Sequence, residues 1–542
     1  MEISYLGLHM GKLVVKPDNK NAPLKKSRTI LSYLQELGIT INASCGGHGI
    51  CKGCGVKISG NENLSSLTDV EKESIKRPGY RLACQAKILK EDEDIYVEVP
   101  IYAKYKILEK GESKKIPLNP FVKKRGAFPL EKIYYEGKEI DEYKGEIFGL
   151  ALDVGTTTIS MYWVDLETGY ERYVSSMLNP QVRYGDNIID RINYAKIVGQ
   201  RHLEMAVIEG VNEMILKGPV NPGHIYEMVV VGNTAMRDIW IGHSVKTLGE
   251  SPFEPVSLNA VNLIADDLGL AINPRANVYA LPLIGHFVGA DALGAILATE
   301  MHKSHDVLMT IDVGTNTEIA LGNEDKIIVT SCASGPAFEG SGVKCGTGAV
   351  EGAIQKVEID DDSKVKYETI GNAPPNGICG SGLIDVLAQM LDRKIINWTG
   401  KFSKGETEFI IAEEVYRISL DGEDIDSLKL AKSAISVGIE VVMEHYGVKV
   451  SDIEKLYLAG AFGTYINPEN ALKIGMLPDL RLEKIVRVGN AAIEGARQAL
   501  ISQEKRKEAE EIPRKTEHIR LEMEEDFHDR FVEGLCFNKY RI

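Results

Sequence analysis

The chain carries two copies of one strand–turn–strand pattern. The first copy holds D-V-G-T-T-T at residues 153–158, and the second holds D-V-G-T-N-T at residues 312–317. In each copy an apolar strand ends in aspartate, turns through glycine and threonine, and leads into a second apolar strand. A chain with this pattern twice is constrained to fold as two related halves, because each copy must form the same hairpin.

Two further matched pairs follow the hairpins in the same order. An apolar strand runs into a glycine at Gly232 and again at Gly460. A glycine then opens a helix of small residues at 289–296 and again at 489–496. Three matched pairs in one order predict that this body arose by gene duplication.

The repeated hairpin has the chemistry of a phosphate site. Its glycine–threonine turn presents backbone N–H groups and hydroxyls, and its aspartate is suited to a hydrated magnesium ion. Two such hairpins facing each other would clamp a polyphosphate. Asp153 and Asp312 are the candidate catalytic residues, and the sequence leaves open which of them orients the attacking water. The candidate phosphate contacts are Gly155, Thr156, Thr157, Thr158, Gly314, Thr315, Asn316 and Thr317.

The paired hairpins resemble the ASKHA superfamily of actin, Hsp70 and sugar kinases. The resemblance implies two RNase-H-like lobes that hold the β- and γ-phosphates of ATP. By the same resemblance, LAGAFG at 458–463 looks like the adenosine motif, with Gly460 and Gly463 near the nucleoside. The glycine-rich segments 334–352 and 377–383 either line this cleft or pack within the second lobe.

Four of the eight cysteines lie close together, at Cys45, Cys51, Cys54 and Cys84. A [2Fe–2S] cluster needs four thiolates, and the intervening glycines let the loop curl and aim N–H groups at sulfur. The alternative is a zinc site, which usually has two C-x2-C pairs. Because one arm here is a lone cysteine within a strand, the pattern favours [2Fe–2S].

The cysteine pattern resembles the plant-type ferredoxin family, with the five-residue first gap of the adrenodoxin-like branch. The resemblance covers about the first 100 residues and implies a β-grasp fold. It also implies that Cys45 and Cys51 hold one iron and that Cys54 and Cys84 hold the other. His48 is expected to be a solvated loop residue and not a ligand.

The predicted fold is a multidomain combination of α+β and α/β parts. The ferredoxin domain should contain strands at KLVVK and VKIS, a helix at TILSYLQELG, and a capping box between Thr68 and Glu71. A segment rich in Lys, Pro and Gly follows, and the last segment is highly charged and is expected to be a solvated helical tail or a partner contact. The predicted divisions are the ferredoxin domain at 1–100, a linker or middle region at 101–145, the ASKHA lobes at 146–300 and 301–500, and the charged tail at 501–542.

Charge and hydropathy exclude several classes of protein. The formal net charge of −15 argues against general nucleic-acid binding. The N-terminus lacks the pattern of a signal peptide, and no run reaches the roughly 18 apolar residues that a membrane span needs. A cytoplasmic protein is therefore expected. Cys332, Cys345 and Cys379 are expected to be buried small residues and not part of a second cluster, and the role of Cys536 is open.

A ferredoxin domain and an ATPase in one chain indicate that nucleotide turnover is coupled to electron transfer. This combination, together with LNPQVRYGDNIIDRI at 178–192, resembles the ATP-dependent reductive activators of corrinoid proteins. The resemblance implies reduction of a Co(II) corrinoid protein to Co(I) in an anaerobe. It further implies a [2Fe–2S] cluster, ATP and Mg²⁺ as cofactors and an upstream low-potential electron donor. A homodimer contact is one of the roles left open for the charged tail.

Three alternatives remain open from the sequence. The first is an ATP-dependent electron donor for another low-potential enzyme. The second is a small-molecule kinase with a regulatory cluster, and the third is a binding module that holds nucleotide without turnover. The ASKHA fold hosts several of these activities, so fold alone does not separate them.

Overall fold

The structure is a computed structural model of the 542-residue chain. The described residues fall into two compact units, bounded at 1–103, 336–431 and 535–538 for the first, and at 104–335, 432–534 and 539–542 for the second. The structure describes residues 11–16, 19–37, 39, 41, 54–59, 63–75, 79–99, 116–185, 187–340, 342–362, 364–414, 417–463 and 465–537.

The N-terminal part of the first unit is a five-stranded sheet with a helix packed on one face. Its elements are β1 (Lys12–Lys16), β2 (Lys20–Pro23), α1 (Ile30–Glu36), β3 (Gly55–Ser59), α2 (Asp69–Ser74), β4 (Tyr80–Leu82) and β5 (Ile95–Glu98). The strand order is β2-β1-β5-β3-β4, with β1 parallel to β5 and the other pairs antiparallel. Alternate residues of β1, Leu13 and Val15, are buried in one core with Ile30 and Leu34 of α1. This is the predicted β-grasp arrangement.

Helix α2 begins with the predicted capping box. The Thr68 hydroxyl accepts from the Glu71 N–H, and the Glu71 carboxylate accepts from the Thr68 N–H at 2.9 Å. The same carboxylate forms a buried ion pair with Arg81 at 2.8 Å and accepts from the Leu82 N–H at 3.0 Å. Helix α2 is therefore tied directly to strand β4.

The second unit begins with a folded sheet where a linker was expected. From residue 116 onwards, the segment predicted as a linker forms β6 (Val122–Arg125), β7 (Lys132–Tyr135) and β8 (Lys138–Glu142), which pair antiparallel in that order. Val122, Ile133 and Ile140 are buried in the core of the second unit. Three apolar residues among many charged ones are enough to dock this sheet, which explains its weak signal in the sequence.

The first lobe is a six-stranded sheet with helices. Its elements are β9 (Phe148–Val154), β10 (Thr158–Asp165), β11 (Glu171–Leu178), α3 (Ile188–Ile197), α4 (Arg201–Lys217), β12 (Ile225–Gly232), α5 (Thr234–Ile241), β13 (Val261–Ile264), α6 (Ala265–Leu268), β14 (Asn277–Ala280) and α7 (Ala290–Thr299). The strand order is β11-β10-β9-β12-β14-β13. All eight residues of β12 are buried, as expected for a central strand covered on both faces.

The next three strands begin a second sheet in the second unit, and the residues that follow them belong to the first unit. The strands β15 (Leu308–Asp312), β16 (Thr317–Gly322) and β17 (Ile327–Cys332) form consecutive antiparallel pairs. The excursion through the first unit contains β18 (Ala353–Ile359), β19 (Val365–Thr369), β20 (Gly377–Ile378), α8 (Gly380–Asp392), β21 (Glu408–Ala412) and β22 (Ile418–Asp421). Helix α9 (Gly422–Tyr446) leads back into the second unit.

The returning chain completes the second sheet. Its elements are β23 (Lys455–Ala459), α10 (Gly460–Gly463), α11 (Pro468–Lys473), β24 (Ile485–Gly489), α12 (Ala491–Ile501), α13 (Gln503–Lys515), β25 (Thr516–His518) and α14 (Phe527–Gly534). The strand order is β24-β23-β15-β16-β17-β25. Apart from one added edge strand each, the two lobes share the same strand order and the same parallel and antiparallel pairs. This repetition confirms the predicted internal repeat.

The two small-residue helices, α7 and α12, cross at very short distance. A Cβ atom on Gly495 would overlap the backbone of Gly294, and one on Gly294 would lie 2.6 Å from the carbonyl oxygen of Ala492. Only glycine allows two helix backbones to approach this closely. Gly294 and Gly495, which lie within the two helices, are therefore required by their crossing.

The predicted solvated tail is wrong for residues 502–518. On α13, Lys505, Arg506, Ala509 and Ile512 are buried, and β25 pairs parallel with β17. Arg506 is neutralised by the equally buried Glu227 of β12, with a nitrogen–oxygen distance of 2.7 Å. The high charge of this segment concealed one face that packs into the core.

No helix among the described residues is both long and apolar enough to cross a bilayer.

Candidate functional site

The structure brings the turns of the two repeated hairpins together. The hydroxyl oxygens of Thr157, between β9 and β10, and Thr315, between β15 and β16, lie 3.2 Å apart and share a hydrogen bond. Asp153 and Asp312 stand at the ends of the strands that enter these turns. The phosphate-binding chemistry predicted for each turn is thus gathered at one place.

The first turn is held in shape by its own backbone and by Asn179. The Gly155 N–H donates to the carbonyl of Thr158 at 3.0 Å, and a Cβ atom on Gly155 would lie 2.6 Å from that oxygen. The side-chain amide of Asn179 donates to the Gly155 carbonyl at 2.8 Å, and its backbone N–H donates to Thr157 at 2.7 Å. The carbonyls of Gly155, Thr157 and Thr158 are therefore all held by donors of the turn itself or of Asn179.

Two buried side chains fix the threonine that follows Gly155. The guanidinium of Arg191 donates to the Thr156 carbonyl at 2.6 Å, and the Asn233 amide donates to the Thr156 hydroxyl at 3.0 Å. Arg191 lies within the segment 178–192 and is fully buried. The family segment noted in the sequence therefore supports the first turn.

The second turn is supported by an equivalent device. The Gly335 N–H donates to the Thr315 carbonyl at 3.0 Å, as that of Asn179 does to Thr157. The Ser334 hydroxyl donates to the Gly314 carbonyl at 3.2 Å and contacts the Thr317 hydroxyl at 2.8 Å. Thr158 and Thr317 begin the second strand of their hairpins, and Asn316 lies half-buried within the second turn.

Four carboxyl groups converge beside the turns. Burial raises the pKa of Asp312 to about 8, and the charges of Asp291 and Asp153 add to this shift. Burial also raises the pKa of Asp291 to about 7 and that of Glu318 well above its usual range. Burial raises the pKa of Asp153 to about 6, although the Asn490 amide, which donates to it at 2.6 Å, acts in the opposite direction. Ionising these carboxyl groups together is therefore unfavourable, and a bound cation would favour their ionised forms.

The carboxyl groups fit a hydrated divalent cation. Within the described ranges, no three His, Cys, Asp or Glu side chains converge into a direct metal cage. Mg²⁺ commonly keeps several waters and takes only one or two protein carboxylates, with phosphate oxygens completing its shell. Asp153 and Asp312 would hold such an ion through water, and the turns would hold the phosphates.

The glycines of the predicted adenosine motif differ in their surroundings. Gly460 has a φ of +90°, and a Cβ atom on it would lie 2.6 Å from a carboxylate oxygen of Asp312. Gly463 closes α10, and among the described residues the nearest atom to a Cβ atom there is the carbonyl carbon of Leu458, at 3.5 Å. Gly460 therefore packs against the catalytic candidate Asp312. The contact of either glycine with a nucleoside stays a prediction.

The glycine-rich segments within the first unit show tight packing. A Cβ atom on Gly340 would overlap Thr347, and one on Gly382 would lie 2.5 Å from the Ile354 carbonyl. These contacts agree with the packing interpretation of the segments. Ser334 and Gly335, at the start of the first segment, serve the second turn instead.

Two of the four predicted cluster ligands lie within the described residues. Cys54 and Cys84 are buried, and the Ala83 N–H donates to the Cys54 carbonyl at 2.8 Å, next to the paired ends of β3 and β4. Cys45, Cys51 and His48 lie outside the described residues. Two buried cysteines on adjacent strand ends fit one iron of a [2Fe–2S] cluster.

The three cysteines predicted to be buried small residues differ in exposure. Cys332 and Cys379 are buried, as expected, whereas Cys345 is only half-buried.

Several residues of the site are not predicted by the sequence motifs. The cluster of four carboxyl groups includes Asp291 and Glu318 in addition to the two predicted aspartates. The turns and Asp153 are oriented by four further side chains, those of Asn179, Arg191, Asn233 and Asn490. One signal was available, because a Gly-Asn pair ends a strand at Gly232-Asn233 and again at Gly489-Asn490. Glu318 closes the motif D-V-G-T-N-T-E and pairs in register with Asp312 across β15 and β16.

Comparisons with known proteins cover nearly the whole chain. Residues 14–89 match the family described as “2Fe-2S iron-sulfur cluster binding domain”, residues 148–304 match “RACo middle region”, and residues 306–542 match “C-terminal domain of RACo the ASKHA domain”. The “Corrinoid activation enzyme RamQ” of Eubacterium limosum is 32% identical, over 92% of this chain and 95% of its own length. The chain belongs to the family of corrinoid protein activators.

Two further similarities agree with this membership of the activator family. A “[Co(II) methylated amine-specific corrinoid protein] reductase” of Methanosarcina barkeri is 26% identical, over 72% of this activator and 77% of its own length. A solved “Reductive activator for corrinoid,iron-sulfur protein” is 30% identical with a TM-score of 0.72, and covers 97% of this activator and 98% of the solved chain. The predicted family, its ferredoxin and ASKHA folds, and its [2Fe–2S], ATP and divalent-metal cofactors are confirmed.

Proposed function

We propose that this activator uses ATP hydrolysis to deliver one electron from its ferredoxin domain to a corrinoid protein, converting Co(II) to Co(I). The observation that carries the proposal is the 3.2 Å contact between Thr157 and Thr315, which joins two phosphate-binding turns in a chain that also has a ferredoxin domain. One reduced cluster supplies one electron per cobalt, and ATP and water become ADP and phosphate.

The proposal has an energetic reason. A plant-type cluster has a potential near about −400 mV. Each further ~59 mV that a one-electron acceptor lies below its donor makes the transfer about tenfold less favourable. ATP binding and hydrolysis offset this only if the two lobes change conformation, since a ligand shifts an equilibrium by its differential affinity for the two states.

The predicted site residues have defined roles in this proposal. Cys45, Cys51, Cys54 and Cys84 would hold the cluster. The turns at 155–158 and 314–317 would hold the phosphates, and Asp153 and Asp312 would position the hydrated cation and the attacking water. The proposal includes an upstream low-potential electron donor, a homodimer, and a cytoplasmic location, where thiolates stay reduced.

An anaerobic spectroscopic experiment tests the proposal. Chemically reduced activator is mixed with a purified Co(II) corrinoid protein, with ATP, without nucleotide, or with a non-hydrolysable ATP analogue. We expect the Co(I) absorption spectrum only with ATP, and its loss in Asp312→Asn. If ATP is hydrolysed but every corrinoid protein tested stays at Co(II), the acceptor is a different low-potential enzyme and the proposed function is wrong.

A further inference from the structure

Asn490 occupies the junction between β24 and α12 and makes two hydrogen bonds with different purposes. Its side-chain oxygen accepts from the Ile493 N–H at 3.0 Å and so caps α12. Its side-chain nitrogen donates to a carboxylate oxygen of Asp153 at 2.6 Å. Because the capping bond requires an acceptor, it fixes the orientation of the amide and leaves only the NH₂ group to face Asp153.

The bond joins the two repeats. Asn490 follows β24 of the second sheet, whereas Asp153 lies near the end of β9 in the first sheet. Helix α12 nevertheless packs on β9, since a Cβ atom on Gly149 would lie 2.8 Å from the Leu500 side chain. Asn490 and Asp153 are therefore carried by elements in direct contact, and their separation is set by backbone packing.

The carboxylates of the two catalytic candidates, Asp153 and Asp312, have different neighbours. Asp153 is anchored by the neutral amide of Asn490, whereas Asp312 faces the carboxyl groups of Asp291 and Glu318. A carboxylate anchored through one oxygen keeps the other oxygen in a defined direction. We infer that Asn490 is a positioning residue for ATP hydrolysis, which holds the Asp153 carboxylate in one orientation beside the first phosphate turn.

This inference rests on the proposed function, and helix capping alone is the competing explanation. Asn490→Asp separates the two, because an aspartate carboxylate caps a helix as well as asparagine does but has no hydrogen to donate to Asp153. Asn490→Ser also keeps a capping group and is too short to reach Asp153. Asn467→Asp is the matched control, since Asn467 caps α11 through the Glu469 N–H at 3.0 Å.

The experiment measures kcat and KM for ATP hydrolysis, together with the melting temperature and the cluster spectrum. We expect kcat to fall about 10- to 100-fold in Asn490→Asp and Asn490→Ser, the range seen when groups that orient a site carboxylate are removed. The KM for ATP, the melting temperature and the cluster spectrum should stay near their wild-type values, and Asn467→Asp should match the wild type throughout.

Either of two results would overturn the inference. One is an unchanged kcat in both Asn490 variants while the wild type hydrolyses ATP, which leaves the proposed function standing and assigns Asn490 to capping. The other is a rise in KM with kcat intact. A wild-type chain that hydrolyses no ATP with its cluster and Mg²⁺ present would instead remove the proposed function and this inference together.

Discussion

Thr157 and Thr315 share a hydrogen bond although 158 residues separate them in the chain. Each belongs to its own sheet, so the contact measures how closely the two duplicated lobes approach at their turns. A phosphate chain placed here would have hydroxyl and N–H donors on both sides.

Removal of these hydroxyls should weaken nucleotide binding. We expect Thr157→Val and Thr315→Val each to raise the Kd for ATP by about tenfold, because losing a hydrogen bond and leaving its partner unpaired costs roughly 1–2 kcal/mol. Thr168→Val, in an exposed turn of the same lobe, is the control. The Kd for ATP is measured by nucleotide titration, and the cluster spectrum serves as a folding check. Equal Kd values for all three variants would contradict the prediction.

The two glycines of the 458–463 motif should respond differently to alanine. In Gly460→Ala the new methyl group would collide with Asp312 at 2.6 Å, on a backbone with a φ of +90°. ATP hydrolysis should be abolished while the ferredoxin spectrum persists. Gly463→Ala has room for a methyl group among the described residues and should fold normally. Loss of hydrolysis in Gly463→Ala alone would instead indicate that a nucleoside passes close to that residue.

The cluster of carboxyl groups beside the two turns predicts that the stability of the metal-free protein depends on pH. Asp312, Asp291 and Asp153 have pKa values of about 8, 7 and 6, against 3.8 in the unfolded chain. The folded state therefore binds more protons, and stability is lost as the pH rises from about 4 through these values. The melting temperature of the metal-free body should decrease between about pH 5 and 8.5, and Asp312→Asn should flatten this decrease. Scanning calorimetry over that range measures both, and a rising melting temperature would contradict the assignment.

The buried Glu71–Arg81 pair should stabilise the ferredoxin domain. Glu71→Gln leaves Arg81 buried without its partner charge, and breaking such a pair costs about 3–5 kcal/mol. The exposed Lys57–Glu98 pair is the matched control, because exposed pairs contribute about 0–1 kcal/mol. Urea unfolding followed by cluster absorbance should show a lower midpoint for Glu71→Gln and a nearly unchanged one for Glu98→Gln. ATP hydrolysis by the body should be unaffected in both.

The local chemistry of the site was predictable from the sequence, and its convergence was not. Strand–turn signals identify the two D-V-G-T turns, the cysteine pattern and the capping box at Thr68 because each depends on neighbours in the chain. Asp291 and Asn490 join the site only because α7 and α12 cross between the lobes, and nothing near them in the sequence specifies that crossing. The buried Arg506 was missed for a related reason, since its partner Glu227 lies 279 residues away.

Strand β25 has a consequence for how the chain is made. Its partner β17 precedes it by almost two hundred residues, as the hydrogen bond from Thr330 to Ile519 across a separation of 189 shows. During synthesis the outer edge of β17 stays unpaired until Thr516–His518 have left the ribosome, and an unpaired edge strand readily associates with other chains. The second lobe is therefore incomplete until this late strand has emerged, and messages shortened before Thr516 should yield aggregation-prone protein.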